Sequence, residues 1–213
     1  MSEPAIFFDL SDRNAELSQM ALDHEGLLWV LQQAHQEGGY SSSNDVKGWR
    51  LIVTHDKAVR ALRERFCGPH WEKEEAENQE GIRNPTAGQR IIVANFDDFA
   101  GDPDPKVTPT NLRPKGNASK RKARCNQTGW LPGLPIPEPI HEEYETWVLG
   151  IFSDDNGFTG ELCLPLEFHK RKLSKLVKRI IIKSKDDGLP VQPLHREPSG
   201  PVEEIDIQIT RRS

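Results

Sequence analysis

The sequence predicts a single α+β domain over residues 1–213, with an N-terminal helical part that includes short strands and a C-terminal antiparallel sheet with a hairpin. Three observations indicate this class. Apolar residues recur at helical spacing before residue 40, an Asn-Gly pair at 156–157 separates two apolar runs, and residues 202–209 alternate between apolar and polar side chains. Residues 97–140 lack such periodicity, so we expect a long irregular loop or insertion within the domain, rich in basic residues and proline.

Helical spacing begins near the N-terminus. Ser11 is a suitable N-cap for a helix that starts at Asp12, and the apolar pattern of residues 17–34 stops at Gly38-Gly39, a good C-terminal signal. Gly26 interrupts the pattern, so we expect either one long helix with a weak point or two consecutive helices.

Short apolar runs then predict two strands. The first is WRLIVT at 49–54, after which Thr54 or Asp56 caps a further helix. The second is RIIVANF at 90–96. The acidic run 72–80 between them predicts a solvated helix or loop.

The clearest local signal is a β-hairpin, because Asn-Gly is a preferred two-residue turn between apolar arms. Its arms are Trp147–Ser153 and Phe158–Phe168. Pro165 cannot donate a backbone hydrogen bond, which predicts an edge position or a bulge there. The apolar face expected on the second arm consists of Leu162, Leu164, Leu166 and Phe168.

The last two predicted elements are a basic helix and a terminal strand. Residues 170–182 place apolar side chains at helical spacing between lysines and arginines, which predicts an amphipathic helix. The run Ile180–Ile182 would equally start a strand. Residues 202–209 predict a half-buried edge strand.

Positive charge is concentrated in two segments without acidic residues, 111–124 and 169–185. They hold 14 of the 28 lysines and arginines, which leaves 14 bases against 33 acids in the rest of a chain whose formal net charge is −5. A local field opposite in sign to the global charge favours polyanion binding, since Lys and Arg neutralise phosphates with little sequence preference. The sequence therefore predicts a non-enzymatic nucleic-acid-binding protein, for example a subunit of a ribonucleoprotein or DNA-processing complex, with DNA and RNA both open.

The first basic segment is typical of a flexible arm, because its Pro, Gly, Asn and Ser residues build no core. Trp130 lies just beyond it and is a candidate for stacking on an unpaired base. The second segment would extend the positive track. Candidate phosphate contacts are Arg113, Lys115, Lys120, Arg121, Lys122 and Arg124 in the arm, and Lys170, Arg171, Lys172, Lys175, Lys178 and Arg179 in the track.

The remaining tryptophans divide by their sequence context. Trp29, Trp49 and Trp147 lie among apolar residues and are expected in the core, whereas Trp71 lies in a polar loop.

Two other functions remain open. Asp97 and Asp98 directly follow the second predicted strand, a position where carboxylates often hold Mg²⁺. With Glu161 or Glu167 from the hairpin they would form a small Mg-dependent nuclease site. Alternatively, the basic segments and the proline-rich run 131–140 would dock an acidic protein partner.

No cofactor motif is found, since neither a GxxxxGK(S/T) nor a GxGxxG loop is present. Cys67-Gly-Pro-His70 has the spacing of half a zinc site, but no second such pair completes it. The three cysteines lack framework spacing, no apolar run approaches the roughly 20 residues of a membrane span, and no secretory signal pattern begins the chain. These features favour a cytoplasmic protein.

The arm makes a first testable prediction. If residues 111–124 form a flexible arm, limited trypsin digestion should cut there first, because flexible basic segments are the preferred sites of nicking. Mass spectrometry of the early fragments identifies the cut. Resistance at Lys120 to Arg124 would mean that this segment is folded or buried.

Overall fold

A computed structural model of the chain describes residues 3–76, 79–113, 126 and 144–187. The helices in these residues are α1 (Leu10–Gln19), α2 (His24–Gly39) and α3 (Trp49–Phe66). The strands are β1 (Ala5–Phe7), β2 (Glu72–Glu74), β3 (Gly81–Asn84), β4 (Gln89–Asn95), β5 (Glu145–Asp154), β6 (Gly157–His169) and β7 (Lys172–Lys183). They form one seven-stranded mixed sheet in the order β1-β7-β6-β5-β4-β3-β2, which confirms the α+β class.

The predicted hairpin and the predicted second strand are both present. β5 and β6 pair antiparallel down to Asp154 opposite Gly157, and the second predicted strand is β4. β5, β6 and β7 form an antiparallel unit, which becomes a mixed sheet because β4 and β1 join its two edges in parallel. The segments 131–140 and 202–209, predicted as proline-rich and as a strand, lie outside the described residues.

The helices cover one face of the sheet and enclose the main core. Each buried leucine or isoleucine side chain contributes about 1.5–3 kcal/mol relative to an exposed one, so this layer supplies most of the apolar stabilisation. Its fully buried members include Leu17, Leu27, Leu31 and Leu62 from the helices and Ile91, Leu149, Leu162 and Ile180 from the strands.

The N-terminal region forms two helices, and their starts differ from the prediction at Ser11. α1 begins one residue before Ser11, and Asp9 occupies its N-cap without a side-chain hydrogen bond. Side-chain capping occurs instead at Asp23, whose Oδ1 accepts a hydrogen bond from the Gly26 amide at 2.6 Å. Gly26 therefore lies in the first turn of α2, which ends at the predicted glycine pair.

Residues 49–54 form the first turns of α3, so the strand predicted there is wrong. A short apolar run does not distinguish a strand from a helix by its periodicity alone. The helical repeat becomes visible only over the longer segment, where Thr54, Ala58, Ala61 and Leu62 are buried. Outside this face, Trp49 remains 42% exposed.

The burial of the tryptophans differs from what their sequence contexts predicted. Trp147 is buried as expected, but Trp29 and Trp49 are 36% and 42% exposed. Trp71 is 2% exposed, and its Nε1 donates to the Met20 carbonyl at 3.0 Å. A buried indole needs a partner for its N–H, and the chain distance to Met20 hides that partner from the sequence.

The acidic run 72–80 contributes the edge strand β2 instead of a fully solvated helix or loop. Glu74 is only 3% exposed, and its Oε2 lies 4.0 Å from Nη1 of Arg90 on β4. Its Oε1 accepts from the Ala76 amide at 2.7 Å.

The basic segment predicted as an amphipathic helix is the strand β7. It pairs with β6 along its length and with β1 at Lys178–Ile180. Leu173 and Leu176 pack in a second core cluster, whereas Val177 and Ile180 pack in the first. Their helix-like spacing therefore reflects a strand that changes face, and the β-branched residues of its second half favour this extended structure.

Bulges in the β6–β7 ladder, on both strands, cause that change of face. The β6–β7 register shifts at Leu164/Pro165, Pro165/Glu167 and Glu167/Phe168, which confirms the bulge predicted at Pro165. Bulges bend a strand and increase its twist. Phe168, expected beside Leu162 and Leu164, therefore packs on the opposite face of the sheet. The second core cluster there contains Ile92, Ala94, Phe96, Ala100, Val148, Cys163, Phe168, Leu173 and Leu176.

Asn126 fills the space where β6 separates from β5. Direct pairing of the two strands ends at Val148 opposite Cys163. Beyond that pair, the Asn126 Nδ2 donates to the carbonyls of Thr146 and Pro165 at 2.9 and 2.7 Å, and its Oδ1 accepts from the Thr146 amide at 2.8 Å. The side-chain amide thus takes the place of a neighbouring strand. It pairs backbone groups that a bulge would otherwise leave without partners.

A buried ion pair fastens the loop 97–111 to the second face. Arg179 and Glu161, neighbours on β7 and β6, are both 0% exposed and joined by two hydrogen bonds of 3.0 and 2.6 Å. The guanidinium also donates to the loop carbonyls of Asp102 and Val107 at 2.8 Å each and of Asp104 at 3.4 Å. Burial lowers the pKa of Arg179, but the hydrogen bond and charge of Glu161 outweigh it and the pKa lies above its usual value.

Glu161 also holds the loop directly. Its Oε2 accepts from the amide of Gly101 at 2.9 Å. Gly101 has φ +75° and lies against the carbonyl of Lys183, where a side chain would collide with the backbone. The loop can therefore reach the ion pair only with glycine at this position.

The outer edge of β7 is covered partly by side chains. β1 pairs with only three residues of β7. Beyond them, Nη1 of Arg13 donates to the carbonyl of Ile181 at 3.0 Å, and Nε2 of His24 donates to that of Ile182 at 2.8 Å.

Removing one partner of the buried pair should destabilise the fold strongly. We expect Glu161→Gln to lower the free energy of unfolding by about 3–5 kcal/mol, because it leaves the Arg179 charge buried without its counter-ion. Urea denaturation followed by circular dichroism measures the change. Glu167→Gln is the matched control on the same strand, since Glu167 pairs with Lys175 in solvent and should cost at most about 1 kcal/mol. Equal midpoints for the two variants would contradict the role given to the pair.

Candidate nucleic-acid interface

The turn between β6 and β7 carries three consecutive basic residues. Lys170 and Arg171 form a two-residue loop between His169 and Lys172, which are paired in the ladder. All three basic side chains are exposed. Lys170 and Arg171 have φ of 48° and 67°, the left-handed conformation that a type I′ turn requires at both positions.

Asn111 joins this turn to the start of the other basic segment. Its Nδ2 donates to the carbonyl of Arg113 at 2.5 Å and to that of Arg171 at 3.2 Å. Its Oδ1 accepts from the amide of Leu173 at 2.8 Å. Asn111 is 1% exposed, so these bonds form a buried link between two chain segments that are far apart in sequence.

The start of α3 lies beside the same junction. Nη2 of Arg113 lies 3.5 Å from the carbonyl of Gly48, the N-cap of α3. The neighbouring backbone is also fixed, since the amide of Leu112 donates to Asn95 O at 2.9 Å and Nδ2 of Asn95 donates to Leu51 O at 2.8 Å. Lys47, next to Gly48, is exposed.

We define the cationic surface as Lys47, Arg113, Lys170, Arg171 and Lys172. Three separate segments contribute to it, and none of its five side chains forms an ion pair with a residue in the described ranges. Three exposed apolar residues flank it: Val46 (69%), Trp49 (42%) and Leu112 (39%).

The other predicted contacts in the second basic segment lie away from this surface or are paired. Lys175 is exposed and pairs with Glu167 at 2.8 Å. Lys178 pairs with Glu16 of α1 at 2.9 Å and lies 5.6 Å from the ring centroid of Phe7.

Arg179 was predicted as a phosphate contact and is instead a buried structural residue. Its side chain is 0% exposed, and all of its hydrogen bonds go to Glu161 and to loop carbonyls. Successive residues of a strand point to opposite faces, so Arg179 faces the second core cluster, which the helical interpretation of the segment concealed.

Six predicted contacts of the arm and its neighbour lie outside the described residues. Among the predicted contacts of the arm, Arg113 alone is described. The six are Lys115, Lys120, Arg121, Lys122, Arg124 and Trp130, and their roles remain predictions.

The carboxylates proposed for a nuclease site serve other contacts. Asp97 accepts from the amide of Thr110 at 3.1 Å and closes the base of the loop. Asp98 lies 3.9 Å from Nζ of Lys185, and Glu161 is bound to Arg179. Within the described residues, no group of three or more His, Cys, Asp or Glu side chains is placed to hold a metal ion.

The described cysteines are poor nucleophiles. Burial raises the pKa of Cys67 above its usual value, and burial together with the Glu161 charge raises that of Cys163 well above it. A raised pKa reduces the thiolate, which is the reactive form. Cys67 also forms an isolated bridge with Trp71 at the end of α3, which is a structural contact.

Three residues of the site were absent from the sequence prediction. Trp49 was assigned to the core because WRLIVT was taken as a strand, and Lys47 was not considered. Gly48 before the apolar run was the available signal, since glycine is an accepted N-cap that places the helix start at Trp49. No local pattern marks Asn111, whose partners lie about sixty residues away.

Comparison with known proteins adds no assignment: no family model, curated protein or solved structure matches this chain. No helix in the described part of the chain is long and apolar enough to cross a membrane.

The backbone conformation of the turn predicts that its two basic residues lower the stability of the fold. Non-glycine residues at positive φ cost about 1–2 kcal/mol each, and Asn-Gly is the preferred pair for this turn. We therefore expect Lys170→Asn with Arg171→Gly to raise the free energy of unfolding by about 1–3 kcal/mol, measured by urea denaturation. An unchanged or lower stability would show that the two basic side chains contribute stabilising contacts of their own.

Proposed function

We propose that the protein binds nucleic acid through the cationic surface, without catalysing a reaction on it. The observation that carries the proposal is the convergence of Lys47, Arg113 and the Lys170–Lys172 turn around the buried Asn111 link. Exposed basic side chains that form no ion pair with a described residue, held together by a folded scaffold, create a positive potential suited to a phosphate backbone.

The net charge of the whole chain indicates that this positive potential is confined to a local surface. The chain is acidic overall, with a formal net charge of −5, so binding must rely on this surface and not on a general positive charge. Two other lysines of the second basic segment are paired with acids, Lys178 with Glu16 and Lys175 with Glu167, while the cationic surface keeps its charges free of described partners.

The strain in the turn gives a second, independent support. Lys170 and Arg171 occupy two left-handed positions where Asn and Gly would be more stable. Backbone strain of this kind is often retained at functional sites, where the side chain is needed more than the stability. Two adjacent charges in an exposed turn are well placed to contact a polyanion.

The proposal predicts salt-sensitive binding that depends on the turn. Fluorescence anisotropy of labelled DNA and RNA, in EDTA and across a salt series, measures affinity and the number of phosphate contacts together. The triple variant Lys170→Asn, Arg171→Gly and Lys172→Gln should weaken binding at low salt and reduce the slope of log affinity against log salt by about 2–3.

The matched control removes the same charge elsewhere. Lys57→Gln, Arg60→Gln and Lys73→Gln lie on α3 and β2, outside the three segments that form the cationic surface, and should leave the salt slope unchanged. Equal loss in both triple variants would mean that binding follows net charge alone. Absence of binding by the wild-type protein at low salt would overturn the proposal and redirect the search to an acidic protein partner.

A further inference from the structure

We infer that the nucleic acid is single-stranded and that Trp49 provides the platform on which one of its bases stacks. This inference rests on the proposed function, because it assigns a strand type to the ligand of the cationic surface. Its basis is the position of Trp49, an exposed indole at the start of α3, immediately after the residue that Arg113 contacts.

Trp49 is exposed although its chemistry favours burial. Its 42% exposure leaves a large aromatic surface in water. Val46, whose carbonyl accepts from the Trp49 amide, and Leu112, which precedes Arg113, are also exposed, so Trp49 is not the only exposed apolar residue of these segments. Exposed apolar patches rimmed by charge mark binding surfaces, and tryptophan is the residue most enriched at the centres of such surfaces.

The backbone under Trp49 is held in place before any ligand arrives. The amide of Trp49 donates to the carbonyl of Val46 at 2.9 Å, and the carbonyl of Leu51, in the same helical turn, accepts from Asn95 at 2.8 Å. A fixed backbone reduces the conformational freedom that is lost on binding.

The neighbouring charge fits a nucleotide as a whole. Nη2 of Arg113 lies 3.5 Å from the carbonyl of Gly48, one residue before Trp49, and Lys47 lies on the other side of Gly48. A base on the indole would thus have its phosphates beside two cations. Grooves that bind single strands combine these two components, a positive track for the backbone and aromatic rings for the bases.

Duplex nucleic acid would use only part of this arrangement. In a duplex the two faces of each base are covered by its neighbours, so an indole at the surface finds no free base to stack on. Single strands expose the base faces, and stacking tolerates any base because each has a π-face. The combination of Trp49 with the cationic surface therefore selects strand type, whereas the cationic surface alone does not.

The test measures binding of a labelled single strand of about 15 nucleotides and of its duplex by anisotropy in EDTA, for both DNA and RNA. We expect the wild-type protein to prefer the single strand. Trp49→Ala should weaken single-strand binding about tenfold, while the salt slope and the duplex affinity remain unchanged, because stacking releases no counterions. Trp49→Phe retains an aromatic ring and should keep most of the affinity.

Trp29→Ala is the matched control, since Trp29 is exposed to a similar extent on α2. It should bind like the wild-type protein. Circular dichroism checks that each variant is folded, and if Trp49→Ala is not, quenching of tryptophan emission by the single strand decides. Quenching should be present in the wild-type and Trp29→Phe proteins and clearly smaller in Trp49→Phe.

The outcomes separate this inference from the proposed function. Wild-type binding that is equal for duplex and single strand, or equal affinities of Trp49→Ala and Trp29→Ala, would overturn the inference while salt-sensitive binding still supported the proposed function. No binding of any nucleic acid by the wild-type protein would overturn both.

Discussion

The buried pair of Arg179 and Glu161 is the interaction on which the second face of the sheet depends. An arginine has five N–H donors and tolerates burial only when they are paired, and here two go to Glu161 and three to carbonyls of the loop 97–111. The loop's own hydrogen bonds form local turns and close its base at Asp97 and Thr110, so the ion pair is what ties its middle to the sheet. Without it, Ala100 and the residues around it would not cover the second core cluster.

The bend of the paired strands β6 and β7 (the β6–β7 ribbon) also helps to close the second face of the sheet. A regular ladder would carry the Lys170–Lys172 turn straight out beyond the end of β5. The register shifts around Pro165 instead bring Phe168, Leu173 and Leu176 over the same cluster that the loop covers. The loop 97–111 and the β6–β7 ribbon therefore contact each other at Asn111. This contact places Arg113 beside Arg171. The cationic surface is a consequence of how the second face is closed.

Sequence patterns predicted the parts of this fold that depend on local structure. The Asn-Gly hairpin, the strand β4, the paired N-terminal helices and the bulge at Pro165 each follow from turn chemistry, β-branched residues or a missing N–H donor. The errors occur where the spacing of apolar residues fits both a helix and a strand. In β7, Leu173, Leu176, Val177 and Ile180 are spaced as on a helix because the strand changes face, and in α3 the run WRLIVT is too short to show its period.

The candidate site was predictable in composition and not in geometry. Concentrated charge marked both basic segments, and Arg113 and the turn at 170–172 belong to the cationic surface. The inward direction of Arg179 follows from the strand register, and the exposure of Trp49 follows from where α3 begins. The Asn111 side chain forms three hydrogen bonds to backbone atoms that come together only on folding. No local sequence pattern therefore predicts its role.

The side chains of Arg13 and His24 have a consequence for association between molecules. An open sheet edge offers free carbonyls and amides to any passing strand, and proteins protect such edges to avoid aggregation. At β7 the carbonyls of Ile181 and Ile182, which the short β1 leaves uncovered, are occupied by these two side chains. A strand from another molecule would have to displace an arginine and a histidine to pair there. The isoleucine-rich end of β7 is thus protected from edge-to-edge pairing by two contacts from the helical layer.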